Sequence, residues 1–299
     1  MITSPVEHHA TLHTVEHMAH FGHATLSYVQ LTEKGHIDMQ HLEELLAGSK
    51  EKTLVTLMHA NNEIGNLMDI KAVGELCRKY DAIFHSDTVQ TVGHYPFDLK
   101  NTYVHFINGA GHKFHGPKGV GILYVNEDIK IKPYINGGAQ ERNMRAGTEN
   151  LPAIAAMVAA WEAQEASRAA REAVWLEARQ GFEEKIGTLL PGVEIIAPHA
   201  PRLWNTVLLT VPAPGNVKWL TRLSALGFSV STGSACSRGA GASDVLRAMG
   251  LPESSQGQVL RLSAGWDTTP GDWLALADAL AAVSATLGER PAGPAPAFR

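Results

Sequence analysis

Cysteine is scarce in this chain: there are two, Cys77 and Cys236, far apart in sequence and in unlike contexts. That pattern does not suit a disulfide framework, so each has to be explained as a thiol. Blocks of basic residues are missing as well, and with a net charge of −5 the chain has no electrostatic footprint for nucleic acid. Long apolar runs are also absent. The longest, Leu151 to Trp161, falls short of the about 20 residues that span a bilayer. The start has no basic region followed by an apolar one, as a secretory signal would. These absences point to a cytoplasmic protein with neither a nucleic acid nor a membrane as partner. What is present is ample core-forming material: 44% apolar residues over 299 positions, a length suited to about two domains.

Residues 53–58, 82–86 and 103–108 read as short buried strands, and 69–80 between the first two has helical spacing. Strand, helix, strand implies parallel pairing through a right-handed crossover. Ligands of such sheets sit at the carboxyl ends of the strands, which directs attention to Asn61 and Asn62, to Asp87 through Gln90, and to the lysine loop at 109–121. The strand after that loop also reads as buried. From about Pro152 to Leu190 the pattern turns alanine-rich and helical. The expected organisation is a large domain over 1–160, a small domain over 161–288 and a disordered tail over 289–299. The small domain has strand-like stretches at 193–197, 205–211, 228–231 and 258–265, and a helix over 217–226. Its final helix is signalled by a capping box of Thr269 and Asp272 and an apolar stripe from Trp273 to Leu287.

Five glycines, at 109, 111, 116, 119 and 121, surround Lys113 and His112 and allow backbone to approach a ligand closely. Lys113 is either a solvated lysine or an amine able to form a Schiff base. Asp87 is either a turn residue or an acid able to keep a pyridine nitrogen protonated. Of the thiols, Cys236 lies in a Gly, Ser and Ala run after a strand and reads as reactive, whereas Cys77 sits in an amphipathic helix as a small buried hydrophobe. Arg261 is either an interior salt-bridge partner or a grip for a carboxylate. Residues 137–150 suit anion binding or a subunit contact. His9, His13, His17 and His20 share a helix face opposite Leu12, Val15 and Met18; the expectation is a solvated polar face and no metal.

Seven stretches in order, "VEHHA", "NNEIG", "HSDTVQTVG", "GHKFHGPKGVG", "QERNMRAGTEN", "STGSACS" and "LRLSAGWDTT", resemble the cysteine desulfurases of the NifS/IscS type. That resemblance implies an α/β architecture, the pyridoxal-phosphate-dependent transferase fold type I, with a mainly parallel large domain and a smaller α+β domain. It implies that Lys113 carries pyridoxal 5'-phosphate covalently, that His8 stacks on its ring, and that Asp87 and Gln90 meet the ring nitrogen and hydroxyl. It further implies that His112 and, across a homodimer, Thr148 reach the phosphate, and that Asn62 and Arg261 hold the substrate carboxylate. Lys113 and His8 are the implied proton-transfer groups. Cys236 is the implied nucleophile, taking sulfur from L-cysteine as a persulfide and passing it to an iron–sulfur scaffold or a tRNA-thiolation protein. Two departures accompany the resemblance. The family's segment ahead of the histidine motif, with a phosphate-cradling Gly-Thr turn, has no counterpart here, and Ala110 stands where the family usually has a phosphate-binding serine; both are expected to weaken cofactor binding. The alternatives are a noncatalytic fragment or interaction module and, among enzymes, a selenocysteine lyase or a class V aminotransferase.

Overall fold

The structure, a computed structural model, describes residues 1–213, 215–233 and 243–288. Two compact units make up the chain, one of Met1–Asn61 with Asn66–Ala169, the other of Asn62–Gly65 with Ala170–Arg299.

The first unit is built on a six-stranded sheet in the order β2-β1-β3-β4-β5-β6. Its strands are β1 (Ile2–Thr3), β2 (Ser27–Tyr28), β3 (Leu54–Thr56), β4 (Ile83–Asp87), β5 (Phe106–Ala110) and β6 (Gly121–Val125). The first five in that order pair in parallel, and β6 closes a hairpin antiparallel to β5. Four helices accompany them: α1 (His9–His20), α2 (Met39–Gly48), α3 (Ile70–Lys79) and the single turn α4 (Gln140–Asn143). α3 starts where the Asp69 carboxylate accepts the Lys71 and Ala72 amides, as an N-cap should. It buries Val73, Gly74 and Cys77. Gly74 is required there, because a Cβ would stand 2.6 Å from the Tyr103 carbonyl oxygen. Burial pushes the Cys77 thiol up to about 12, which makes it inert packing. Leu42, Val55, Leu57, Val73, Phe84 and Ile107 pack into the core between helices and sheet.

β6 is not a buried strand: it is the edge of the sheet, and Leu123 on it is 57% exposed. The apolar side of α1 ends at Val15, since Met18 is 39% exposed.

The helix α5 (Leu151–Leu189) runs from the first unit into the second. The second unit holds the antiparallel sheet β7-β8-β9, of β7 (Glu194–Ile195), β8 (Thr206–Thr210) and β9 (Val259–Ser263). Its other helices are α6 (Asn216–Ala225), α7 (Asp244–Ala248), the turn α8 (Glu253–Gln256) and α9 (Pro270–Gly288). Phe182, Ile186, Val207, Trp219, Leu260 and Leu280 are fully buried together in its core. The capping box at the start of α9 forms: the Thr269 amide donates to Asp272 Oδ2 at 2.8 Å, and the Asp272 amide donates to Thr269 Oγ1 at 3.2 Å. Residues 228–231 do not form the expected strand. Only Ser231 pairs, exchanging both backbone hydrogen bonds with Arg261 on β9.

Candidate functional site

The parallel register sets Asp87, the last residue of β4, opposite Asn108 on β5. Asp87 is 5% exposed, and its Oδ1 accepts the Val89 amide at 3.0 Å and Asn108 Nδ2 at 3.2 Å. Among the described residues both hydrogen bonds to this carboxylate fall on Oδ1 and none on Oδ2.

Behind Asp87 stands a relay that no local motif announces. Asn108 Oδ1 accepts from His85 Nε2 at 2.9 Å, and His85 Nδ1 in turn accepts from the Thr56 hydroxyl at 2.7 Å. The relay fixes one tautomer of His85, and burial holds this imidazole below its ordinary range, in the neutral form the relay needs.

One residue past β5 the chain tightens into a 3-10 turn, Gly111–Phe114, that carries His112 and Lys113, both exposed side chains, and anchors itself through buried Phe114. The Lys113 carbonyl accepts from His94 Nε2 at 3.0 Å, so the turn is tied to the loop after β4. Gly93, in that loop, has φ +79°, and a Cβ on it would meet the Phe114 Cβ at 2.6 Å. Among the described residues the Lys113 amine makes no ion pair or hydrogen bond. Gln90 is half-buried in the turn after Thr88.

His8 caps α1, with Nδ1 accepting the Ala10 amide at 3.2 Å. Burial holds its imidazole below the ordinary range; the Asp87 carboxylate opposes that shift, and neighbouring His9 and Lys113 add to it. The charges of Asp87 and Lys113 thus both reach His8 within the first unit. Thr148 is exposed in the loop ahead of α5. Among the described residues no cluster of three or more His, Cys, Asp or Glu could hold a metal ion.

Asn62 and Arg261 belong to the second unit, where Arg261 Nη1 donates to the Asn62 carbonyl at 2.9 Å. Beside them Glu63 Oε2 accepts from the hydroxyl of Ser243, the N-cap of α7, at 2.6 Å. Cys236, and the tail expected over 289–299, lie outside the described residues. Sequence reading passed over Asn108, His94 and Glu7. Their relevance comes from strand register and loop packing; the one available signal was that Glu7 lies within "VEHHA" and that Asn108 and His94 lie near motif residues.

The donor set of the first unit fits pyridoxal phosphate: an amine unpaired among the described residues, a buried carboxylate oriented through one oxygen, and an imidazole that burial keeps neutral and that feels both charges. Ala110 is the poor fit, offering no side-chain donor to a phosphate.

The model of the family described as "Aminotransferase class-V" matches residues 1–272. The cysteine desulfurase IscS of Dictyoglomus turgidum is 36% identical over 273 residues, covering 91% of this chain and 68% of that protein. Among solved structures, a NifS-like protein superposes with a TM-score of 0.86 at 30% identity, over 96% of this chain and 75% of its own. A second, SspA in complex with cysteine, does so with a TM-score of 0.72 at 29% identity, over 88% and 72%. In this family the cofactor is pyridoxal phosphate, and the mainly parallel sheet of the first unit is that of fold type I. The chain belongs to the class-V aminotransferases, among their IscS/NifS-like cysteine desulfurases.

Proposed function

We propose that the protein removes sulfur from L-cysteine, leaving L-alanine and a persulfide on Cys236. The observation that carries this reading is the grouping of Lys113, Asp87 and His8 around the carboxyl ends of β4 and β5 and the start of α1. When bound, pyridoxal phosphate supplies an electron sink beside the substrate Cα. Lys113 is the residue that would hold it covalently. Asp87 would accept the ring N–H through Oδ2, with Asn108 keeping the carboxylate in place, and Gln90 would meet the ring hydroxyl. His8 would lie against the ring, and His112 would reach the phosphate together with Thr148 from a second copy of the chain. Ala110 leaves that phosphate without one charged hydrogen bond, worth about 1.5–3 kcal/mol.

Arg261, paired with a carboxylate through two N–H groups, and Asn62 would orient the substrate. Lys113 would carry the Cα proton, with His8 as the second proton-transfer group. The Cys236 thiolate then attacks the substrate sulfur. One S–S bond forms as the substrate C–S bond breaks, so that a thiol and cysteine become a persulfide and alanine with no other oxidant or reductant. The sulfur is then passed to an acceptor protein, an iron–sulfur scaffold or a tRNA-thiolation protein, in a cytoplasmic setting and from a homodimer. Support for L-cysteine as substrate comes from the solved relative bound to cysteine.

The test is to incubate the protein, supplied with pyridoxal phosphate, with L-cysteine and a thiol reductant and to follow alanine and sulfide. The wild type should form both in equal amounts. Cys236→Ala should keep the cofactor's visible absorption and lose sulfide release. Sulfide release undiminished in that variant overturns the role of Cys236, and a wild type that binds the cofactor but forms no alanine overturns the reading.

A further inference from the structure

A cavity of about 30 Å³ in the first unit is lined by Ser4, Glu7, His36, Asn61 and Asn66 among apolar neighbours. Three polar atoms of its lining residues, Glu7 Oε2, Asn66 Oδ1 and His36 Nε2, are buried and have no hydrogen-bond partner among the described residues. The other oxygen of Glu7 is fully engaged: Oε1 accepts the Met58 amide at 2.8 Å and the Ser4 hydroxyl at 3.0 Å. Asn66 Nδ2 donates to the Lys34 carbonyl at 2.8 Å, which settles which end of this amide is the acceptor. The cavity is large enough for one water, and its walls supply the polar partners that a buried water needs.

We propose that one ordered water sits there, accepting a hydrogen bond from Glu7 Oε2 in the neutral acid form and donating to Asn66 Oδ1 and His36 Nε2, and that Glu7 thereby acts as a positioning residue for His8. Buried polar groups in folded proteins are nearly always satisfied, and this arrangement satisfies all three at once. A charged Glu7 would be an unpaired buried anion. The titratable groups that face it are His36, itself held below its ordinary range by burial, with Lys34 adding to that shift, and the Asp87 carboxylate. Neither compensates a negative charge. Burial is also the main cause that pushes the Glu7 carboxyl up to about 8, with the Asp87 charge adding to it.

Glu7 immediately precedes the N-cap of α1, and through Oε1 it ties that turn to the loop following β3. The positioning of His8 rests on the role proposed for that residue above; the water and the protonation do not.

Glu7→Gln is the informative variant, because an amide reproduces the neutral acid: its carbonyl takes the two donors of Oε1 and its NH₂ faces the water. Thermal unfolding of both proteins is followed from about pH 5 to about pH 9. A carboxyl whose folded value lies above its unfolded one loses its contribution as pH rises, here from 4.5 through about 8. The midpoint of the variant should therefore match the wild type near pH 5 and exceed it by a margin that grows to several degrees at the alkaline end. The histidines are common to both proteins, so their own slopes cancel. A pH-independent gap, or a variant that fails to fold at pH 5, overturns the proposal. So does a wild-type midpoint that rises with K⁺ or Na⁺ at constant ionic strength while the variant's does not, since an ion and not a water would then fill the cavity. For the positioning role, Glu7→Ala should shift the NMR titration of the His8 imidazole and Glu7→Gln should restore it; one titration shared by all three proteins removes that role.

Discussion

Asp87 illustrates how far this site depends on residues outside the motif that carries the functional side chain. A carboxylate at the end of a strand can rotate; this one cannot do so freely, because Val89 and Asn108 both hold Oδ1. Asn108 is itself held through His85 and Thr56. Replacing Asn108 by Ala takes one donor from Asp87 and leaves the His85 Nε2–H without its acceptor. An unsatisfied buried polar group costs about 1–3 kcal/mol. Chemical denaturation of Asn108→Ala should show a loss in that range together with weaker cofactor binding. Unchanged stability would mean that the relay contributes nothing. Asp87 itself could be picked out from the sequence, as an acid just past a strand. Asn108 could not, because its partnership depends on how β4 and β5 align, and register is a property of two strands 21 residues apart.

At the scale of elements, the lysine turn is a short 3-10 segment whose conformation is imposed from outside. Phe114 fills the space beside Gly93, and His94 ties down the Lys113 carbonyl. Gly93→Ala would place a methyl group against Phe114 in a backbone conformation with φ +79°, which L side chains adopt at a cost of about 1–2 kcal/mol before any clash. The expected outcome is a destabilised protein with weakened cofactor binding, read by thermal unfolding and by titration with pyridoxal phosphate; wild-type behaviour in both would show that the turn adapts.

Local signals were legible where local chemistry decides. The Thr269 and Asp272 box sits within one turn of helix and forms as its spacing requires. The β3, α3, β4 unit follows from hydrophobic periodicity. Residues 228–231 carry the same apolar alternation but pair at Ser231 alone. β6 reads as buried because its residues are apolar, yet being at the edge of a sheet is a matter of order among strands, which periodicity does not encode.

For the whole molecule, the two compact units divide the residues that the resemblance assigns to one site. His8, Asp87, Gln90, His112, Lys113 and Thr148 belong to the first, and Asn62 and Arg261 to the second. Residues 62–65 count with the second unit although the chain on either side of them counts with the first, so a four-residue loop carries Asn62 and Glu63. Sequence reading placed the domain boundary at 160/161; the units divide at 169/170, and α5 spans both positions. A continuous helix gives no compositional break to read. The overall fold was legible because seven ordered motifs are a property of the entire chain, whereas how each motif side chain is held had to come from the structure.

We propose that Lys113 is the lysine that holds pyridoxal phosphate. The most direct measurement is to load the purified protein with pyridoxal phosphate, reduce it with borohydride, digest it and locate the modified residue by mass spectrometry. The expected product is a single phosphopyridoxyl group on Lys113, absent from Lys113→Ala. A label on another lysine, or labelling of Lys113→Ala equal to that of the wild type, would contradict it.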